Sequence, residues 1–306
     1  MVQRALNFIF TISILFFLNI NIFGQQTPHH TQYLYNTQLF NPAYVGSKDY
    51  LSLTISSRLQ WTEIEGAPAT HTIASHKNLK KWPVGVGASF TLDRLGPVDQ
   101  KNYSLDASYT IRPTENTKLA FGLKIGGETL TIALNKGTAD EPGDPLLAKS
   151  IESKFSPTLA AGAYWYGKNW YLGLSTLNLL HANHFDGAVT DRPHYFIMGG
   201  YVVEINRELK FKPAILTKVV SGAPVSINAS ANFLFNESFS FGLTYNNGQS
   251  LSAVISADLS SIFTVGYSFD YSLKSLNQFS GGSHEVILSY RFTKSSKKHS
   301  CHTRFF

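Results

Sequence analysis

Residues 102–125 alternate between apolar and polar side chains on both sides of a short turn. The apolar positions are Tyr103, Leu105, Ala107, Tyr109 and Ile111 before the turn, and Leu119, Phe121, Leu123 and Ile125 after it. Because successive side chains of a β-strand point to opposite faces, this two-residue period predicts a hairpin with one apolar and one polar face. Soluble β-sandwiches and membrane β-barrels both show such alternation. The number of strands and the lengths of their connections must therefore distinguish the two folds.

The same pattern recurs along the chain and predicts fourteen strands. They cover residues 50–57, 69–76, 84–92, 102–112, 117–126, 157–166, 169–176, 194–205, 209–219, 224–235, 238–246, 249–258, 261–270 and 283–292. The shorter segments must extend at their ends if they span a bilayer, because a tilted membrane strand needs roughly 9 to 11 residues.

Long and short connections alternate between almost all of these strands. The long ones are 58–68, 93–101, 127–156, 177–193 and 271–282, and the short ones are 113–116, 167–168, 206–208, 236–237 and 259–260. Outer-membrane barrels have long outward loops and short periplasmic turns, whereas a sandwich has no reason to sort its loops in this way. Two outward connections, 221–223 and 247–248, are short. The pattern nevertheless favours an all-β, 14-stranded antiparallel outer-membrane β-barrel, in which residues 129–134 continue a hairpin above the membrane.

The composition agrees with a surface that faces lipid. Aromatic residues make up 13% of the chain and charged residues only 15%, whereas about a quarter is charged in typical soluble domains. The net charge of +6 comes mostly from the two ends, because without Arg4, Lys294, Lys297, Lys298 and Arg304 it is +1. No strand carries a basic stripe with interleaved aromatic residues, so nucleic acid is not an expected partner.

The N-terminus has the pattern of a secretory signal peptide. An early cation, Arg4, precedes an apolar run over residues 8–18, and polar residues follow position 24. A transmembrane anchor is the alternative interpretation, but Asn19 and Asn21 interrupt the run, and no later stretch reaches about 18 consecutive apolar residues. The predicted organisation is a signal peptide at 1–24, an N-terminal periplasmic or plug segment at 25–49, a transmembrane barrel at 50–292 and a basic periplasmic tail at 293–306.

Several short motifs stand out when the chain is followed from one end to the other. They are Asn41-Pro42-Ala43-Tyr44 with Gly46-Ser47; Arg58, Gln60 and Trp61 with Ile64-Glu65-Gly66-Ala67-Pro68; Gly85-Val86-Gly87 with Asp93-Arg94-Leu95-Gly96-Pro97; Lys210-Phe211-Lys212-Pro213; and Gly266-Tyr267-Ser268-Phe269-Asp270-Tyr271. Together they resemble the PorP/SprF family of type IX secretion and gliding proteins of Bacteroidota. The resemblance implies an outer-membrane barrel that is not an enzyme, has no cofactor, and works with type IX components and exported surface proteins such as adhesins.

The side chains that could carry chemistry form no convincing site. His181 and His184 are spaced for one metal but lack a supporting cysteine or carboxylate pair, and the tail cluster of His299, Cys301 and His302 is a run of soft ligands in a polar end. No serine lies in a G-x-S-x-G context. Cys301 is the only cysteine, so an intrachain disulfide is impossible. We expect no metal, cofactor or catalytic residue.

The candidate partner-binding residues lie in the first two outward connections. They are Trp61, Glu65, Gly66, Ala67, Pro68, Asp93, Gly96 and Pro97. One interpretation is structural, with glycine and proline shaping the turns and Trp61 marking the aromatic girdle. The other is a rigid patch that contacts an exported protein, because binding residues concentrate on loops held by a stiff scaffold.

The sequence therefore predicts an outer-membrane barrel of the type IX secretion and gliding machinery, which supports export or surface attachment of specific cargo. A general porin or solute channel remains the alternative, because a polar lumen is compatible with both.

Overall fold

A computed structural model describes residues 31–133, 150–152, 155–180, 183–184, 189–190 and 192–292. The predicted signal peptide and basic tail lie outside these residues. All fourteen predicted strands are confirmed, and we number them in chain order. They are β1 (Leu51–Leu59), β2 (Ala69–Asn78), β3 (Val84–Leu95), β4 (Val98–Thr114), β5 (Thr117–Ala133), β6 (Ser156–Tyr166), β7 (Trp170–Leu177), β8 (His194–Tyr201), β9 (Leu209–Val220), β10 (Ser226–Phe235), β11 (Phe239–Asn246), β12 (Ser250–Asp258), β13 (Phe263–Ser272) and β14 (Ser283–Phe292).

The strands form one closed antiparallel barrel. Each strand pairs with its neighbours in the sequence, and β1 closes the ring on β14 with Leu51 opposite Phe292 and Leu59 opposite His284. Two short strands extend this sheet, Ser150–Glu152 beside β5 and Val203–Glu204 beside β9. Closure leaves no free strand edge, which is what a sheet needs inside a bilayer, where no water can satisfy an unpaired backbone group.

The helices of the described residues are short 3-10 turns at Thr37–Leu39, Pro42–Tyr44 and Ser275–Phe279. In this part of the chain no helix is both long enough and apolar enough to cross a membrane.

Long connections lie at one end of the barrel, which we call the outward end, and short turns lie at the other. By the rule for outer-membrane barrels the short-turn end faces the periplasm. One predicted boundary was wrong: residues 93–101 are mostly strand, because β3 and β4 continue to a tight turn at 96–97. Polar pairs such as Arg94 opposite Asp99 hide this hairpin in the sequence. The predicted continuation at 129–134 is confirmed as far as Ala133, and β4 and β5 reach 17 residues each, well beyond the roughly 9 to 11 that cross a membrane.

The barrel buries its polar face and exposes its apolar face. On β4, Leu105 is 61% exposed whereas Asp106 and Ser108 are 3% and 4% exposed, and on β5 Leu123 is 59% exposed. This is the reverse of a water-soluble protein, in which large apolar side chains are buried. The exposed apolar face therefore faces lipid, as the sequence predicts.

A charge on this face is expected to destabilise the barrel. Ala107 is exposed in the middle of β4, opposite Leu123, so Ala107→Lys should cost about 2–4 kcal/mol, the cost measured for a lysine near the bilayer midplane. Asn116→Lys, in the exposed turn between β4 and β5, is the control and should unfold at the same urea concentration as the wild type. Equal unfolding midpoints for the two variants in lipid vesicles would contradict the assigned lipid face.

Candidate functional site

The lumen of the barrel is occupied by the chain's own N-terminal segment. Residues 31–50, which we call the plug segment, precede β1, and most of them are buried. Asn41, Ala43 and Val45 have no exposed surface. The segment begins beside the outward ends of β13 and β14, where Thr31 contacts Asp270 and Glu285. It ends at the periplasmic start of β1, so it traverses the interior from one end to the other.

The centre of the plug segment is a short turn that fits glycine gaps in the wall. The side chain of Asn41 accepts a hydrogen bond from the backbone N–H of Ala43 at 2.9 Å and donates to the carbonyl of Ala163 at 3.0 Å. A Cβ on Gly122 would lie 2.3 Å from the nitrogen of Ala43, and one on Gly162 would lie 2.2 Å from Oδ1 of Asn41. The wall therefore has room for this turn only because these lumen-facing positions lack side chains.

An aromatic cluster holds one side of the plug segment. Phe40 packs edge-on against Phe196 with ring centroids 5.5 Å apart, and Tyr44 packs in the same way against Tyr164 at 5.5 Å. Tyr33 belongs to the same buried cluster and contacts the hydroxyl of Ser230. Burial raises the pKa of Tyr33 to about 12, because the low-dielectric surroundings disfavour the charged phenolate.

Polar and charged side chains hold the other side. The side-chain amide of Gln38 donates to Asp106 at 2.9 Å, and Lys124 lies 3.5 Å from the same carboxylate and donates to the backbone carbonyl of Gln38 at 3.1 Å. Each of these groups is buried or partly buried and finds its partner across the plug boundary, as buried polar groups must.

A second charged cluster ties the start of the plug segment to the outward end of the wall. Arg58 of β1 forms ion pairs with Asp270 of β13 and Glu285 of β14, and all three side chains are almost fully buried. The backbone N–H of Thr31 donates to Glu285 at 2.9 Å, and its hydroxyl donates to Asp270 at 2.7 Å. The plug segment is thus fixed at its beginning by hydrogen bonds to charged groups, which are the stronger kind.

The candidate partner-binding residues come together at the outward end. The N–H of Gly96 donates to the carbonyl of Gly66 at 2.8 Å, which joins the connection 60–68 to the β3–β4 turn. Thr62 exchanges backbone hydrogen bonds with Gly282 at 2.9 Å and with Gly281 at 2.8 Å, which joins 60–68 to the connection 273–282. We call residues 60–68, 93–97 and 273–282 the outward surface.

The individual candidates occupy different depths in this surface. Glu65, Gly66, Gly96 and Pro97 are exposed, whereas Trp61, Ala67, Pro68 and Asp93 are half-buried. Asp93 accepts a hydrogen bond from the hydroxyl of Thr70 at 2.5 Å. Trp61 has a positive φ of 46°, and its backbone N–H donates to the hydroxyl of Ser283 at 3.2 Å. The backbone conformation of Trp61 is therefore supported by a contact with β14.

The described residues contain no group of three or more histidine, cysteine, aspartate or glutamate side chains placed to hold a metal ion. His181 and the tail cluster of His299, Cys301 and His302 lie outside the part of the chain that the structure describes.

The plug residues were not among the candidates derived from the sequence. The signals that point to them are the turn at Asn41 and Pro42 and the glycines at lumen-facing positions of β5, β6 and β7. Neither signal identifies a plug by itself, because each becomes meaningful only when the turn is seen to lie against the gaps.

Comparison with known proteins gives a family and several barrels of similar architecture. Residues 22–290 match the family model of the type IX secretion system membrane protein PorP/SprF. Among solved structures, a FadL homologue of Pseudomonas aeruginosa is 13% identical, with 88% of this chain and 96% of that chain covered and a TM-score of 0.47. The toluene transporter TodX of P. putida is 8% identical, with 83% and 93% covered and a TM-score of 0.49. The CymD monoaromatic hydrocarbon channel is 10% identical, with 88% and 95% covered and a TM-score of 0.48. No curated protein matches the sequence.

Proposed function

The chain belongs to the PorP/SprF family of type IX secretion system membrane proteins, and on this premise we propose that its outward surface supports the export or surface attachment of specific cargo proteins such as adhesins. The membership and the closed barrel make it an outer-membrane component of that system. Its partners in this proposal are type IX components, exported cargo and the lipid of the outer membrane. The observation that carries the proposal is the joining of three outward connections into one surface.

A joined surface suits protein recognition better than separate mobile loops would. Backbone hydrogen bonds that Gly66 accepts and Thr62 exchanges fix 60–68 against its two neighbours, so little conformational entropy remains to be lost on binding. The surface also presents apolar side chains at the rim, since Leu95 is 52% exposed and Phe279 is 71% exposed. Exposed apolar and aromatic groups on a rigid frame are typical of interaction sites.

The occupied lumen supports this reading over a general porin. A solute channel needs a continuous wet path, whereas here the plug segment fills the interior and its central residues have no exposed surface. The lumenal charges also have a structural use, because Arg58, Asp106, Lys124, Asp270 and Glu285 hold the plug segment. This structural role is enough to explain why these charged residues lie in the lumen, without a catalytic role. We propose that the protein is not an enzyme.

Deleting the protein is expected to remove one or a few large surface proteins from the cell exterior while the rest of the type IX secretome continues. Mass spectrometry of surface-shaved peptides from deletion and parent cells measures this. An unchanged surface proteome would contradict the proposed function, and a change in solute uptake without loss of any surface protein would favour the porin.

Replacing Trp61, Glu65 and Pro68 together by alanine is expected to reproduce the deletion while the barrel still folds. The backbone hydrogen bond from Gln60 to the carbonyl of residue 68 needs no proline side chain, so the strand ends should stay paired. The readouts are heat-modifiable mobility for folding and antibody labelling for cargo on intact cells, with at least about a tenfold loss of label expected from losing an interface anchor worth 2 kcal/mol or more.

A matched control replaces two exposed residues of another outward connection, Ser221 and Pro224, by alanine. This connection lies between β9 and β10, on the other side of the barrel from β1 to β4. Normal cargo display is expected for this control. Normal display by the folded variant at residues 61, 65 and 68 would show that this part of the outward surface does not bind cargo.

A further inference from the structure

The periplasmic end of the barrel contains a basic groove that the proposed function does not use. A cavity of about 570 Å³ is lined by Lys80, Lys81 and Trp82 from the β2–β3 turn, by Arg112 of β4, by Lys118 of β5 and by Tyr166 of β6. A neighbouring cavity of about 330 Å³ shares Lys118 and Tyr166 and continues to Lys168 in the β6–β7 turn. We call the two cavities together the basic vestibule. Its floor is the end of the plug segment, since Asp49 lines both cavities.

The charges of the vestibule are unbalanced. Six cations from five different elements line it, namely Lys48, Lys80, Lys81, Arg112, Lys118 and Lys168, against the carboxylates of Asp49 and Glu115. Within the described residues none of these six cations forms an ion pair, although Lys118 lies over the ring of Tyr166 at 5.9 Å and Lys48 lies over the ring of Tyr50 at 5.8 Å. Clustered cations in a concave site create a positive potential that attracts an anionic ligand.

The placement of these side chains selects the kind of anion. On β4 and β5 the lipid-facing positions next to the cations are Ile111 and Leu119, and alternation places Arg112 and Lys118 on the lumen side instead. They therefore line an opening into the barrel and do not lie along the bilayer surface. A ligand has to enter from the periplasm, which favours an extended segment over a lipid headgroup.

The stretches that flank the described residues are not acidic. The last residues of the chain, 293–306, contain Lys294, Lys297, Lys298 and Arg304 and no acidic side chain, and residues 25–30 contain no acidic side chain either. The opposite half of the periplasmic rim is different in charge, since the connections 202–208 and 236–238 carry three glutamates and one arginine. The positive groove is therefore one-sided, which would orient a bound partner.

We propose that the basic vestibule binds an acidic, extended segment of a periplasmic partner protein. Carboxylates of the segment pair with the lysines and Arg112, and its backbone lies between Trp82 and Tyr166. This inference adds a periplasmic partner to the proposed function. It rests on the proposed function in one respect, which is that a secretion component is expected to have a periplasmic partner. Because the segment would lie on residue Asp49, its binding site is continuous with the plug segment.

The test uses the full-length protein in detergent and a fluorescein-labelled oligoglutamate peptide, with an oligoglutamine peptide of equal length for comparison. Fluorescence anisotropy is expected to show binding of oligoglutamate only, weaker as salt is added. The variant Lys80→Gln, Lys81→Gln, Arg112→Gln should bind at least about threefold more weakly, because it removes three exposed ion pairs that contribute about 0.2–1 kcal/mol each. The control Arg94→Gln, Lys101→Gln, Lys274→Gln removes three exposed cations from the outward end and should bind as the wild type does.

Equal affinities for the vestibule variant and the wild type would overturn the inference. The inference would also be overturned if the vestibule variant bound the peptide normally but retained less phosphatidylglycerol from mixed-lipid nanodiscs. The cations would then bind anionic lipid and not a peptide. Inorganic phosphate should compete only weakly, and full competition at low concentration would assign the site to a small anion. Cargo display is not a readout here, so failure of this test leaves the proposed function standing, and the reverse also holds.

Discussion

Removing the plug segment is expected to convert a closed barrel into an ion-conducting pore. The wild type should show conductance close to that of a bare bilayer, because residues 31–50 fill the interior and are buried against the wall. Deletion of residues 31–46 leaves the residues that lead into β1 and empties the lumen of a fourteen-stranded barrel, whose diameter grows with strand number. We expect an increase in conductance on the order of tenfold or more in planar bilayers.

A substitution in the wall provides the same test without shortening the chain. Gly122→Ala places a methyl group 2.3 Å from the nitrogen of Ala43, so the central turn of the plug segment has to move. Gly199→Ala is the matched control, because its added carbon would be 3.5 Å from the nearest atom. The first variant should raise the conductance and the second should not. A wild type that conducts as well as both the deletion and Gly122→Ala would show that the plug segment does not block the pore.

Replacing Arg58 is expected to cause the largest loss of stability of any single substitution at the plug boundary. Arg58→Met removes the arginine that forms ion pairs with both Asp270 and Glu285, and both carboxylates stay buried. Breaking a buried ion pair by removing one partner costs about 3–5 kcal/mol, because the desolvated charge that remains is uncompensated. Urea unfolding of the protein in vesicles, followed by tryptophan fluorescence and heat-modifiable mobility, measures the difference.

Two further variants separate this explanation from a general effect of losing arginine. Arg94→Met removes the exposed partner of Asp99, at 3.4 Å, and should cost less than about 1 kcal/mol. Combining Arg58→Met with Asp270→Asn and Glu285→Gln removes the uncompensated charge and should restore much of the lost stability. A triple variant no more stable than Arg58→Met alone would show that packing of the arginine side chain, and not charge, is what matters.

The strands and their faces follow from the sequence because alternation is a local property. Leu105 and Asp106 are adjacent in the chain and necessarily point to opposite sides of a strand. The sorting of long and short connections then decides in favour of a barrel. The hairpin at 93–101 was missed for the opposite reason: its strands extend above the membrane, where both faces can be polar and no alternation is required.

Sequence motifs identify the candidate residues of the outward surface. The motifs do not predict that the segments carrying these residues contact one another. Gly66 and Gly96 are thirty positions apart in the chain and touch through one backbone hydrogen bond. A contact of this kind leaves no pattern in either segment. The lysines of the vestibule were overlooked for a similar reason, because they are spread over several turns and strands and only barrel closure brings them to one groove.

The sequence by itself determined the fourteen strands, the face of each strand that meets lipid and the end of the barrel that carries the long loops. It left open whether the N-terminal segment is periplasmic or a plug, and only the tertiary structure decided that residues 31–50 lie in the lumen. The physical reason is the range of the interactions. Alternation is a relation between neighbouring residues and can be read from the sequence. Thr31, in contrast, bonds to Asp270 and Glu285, which are more than two hundred positions away, and these hydrogen bonds form only once the barrel has closed.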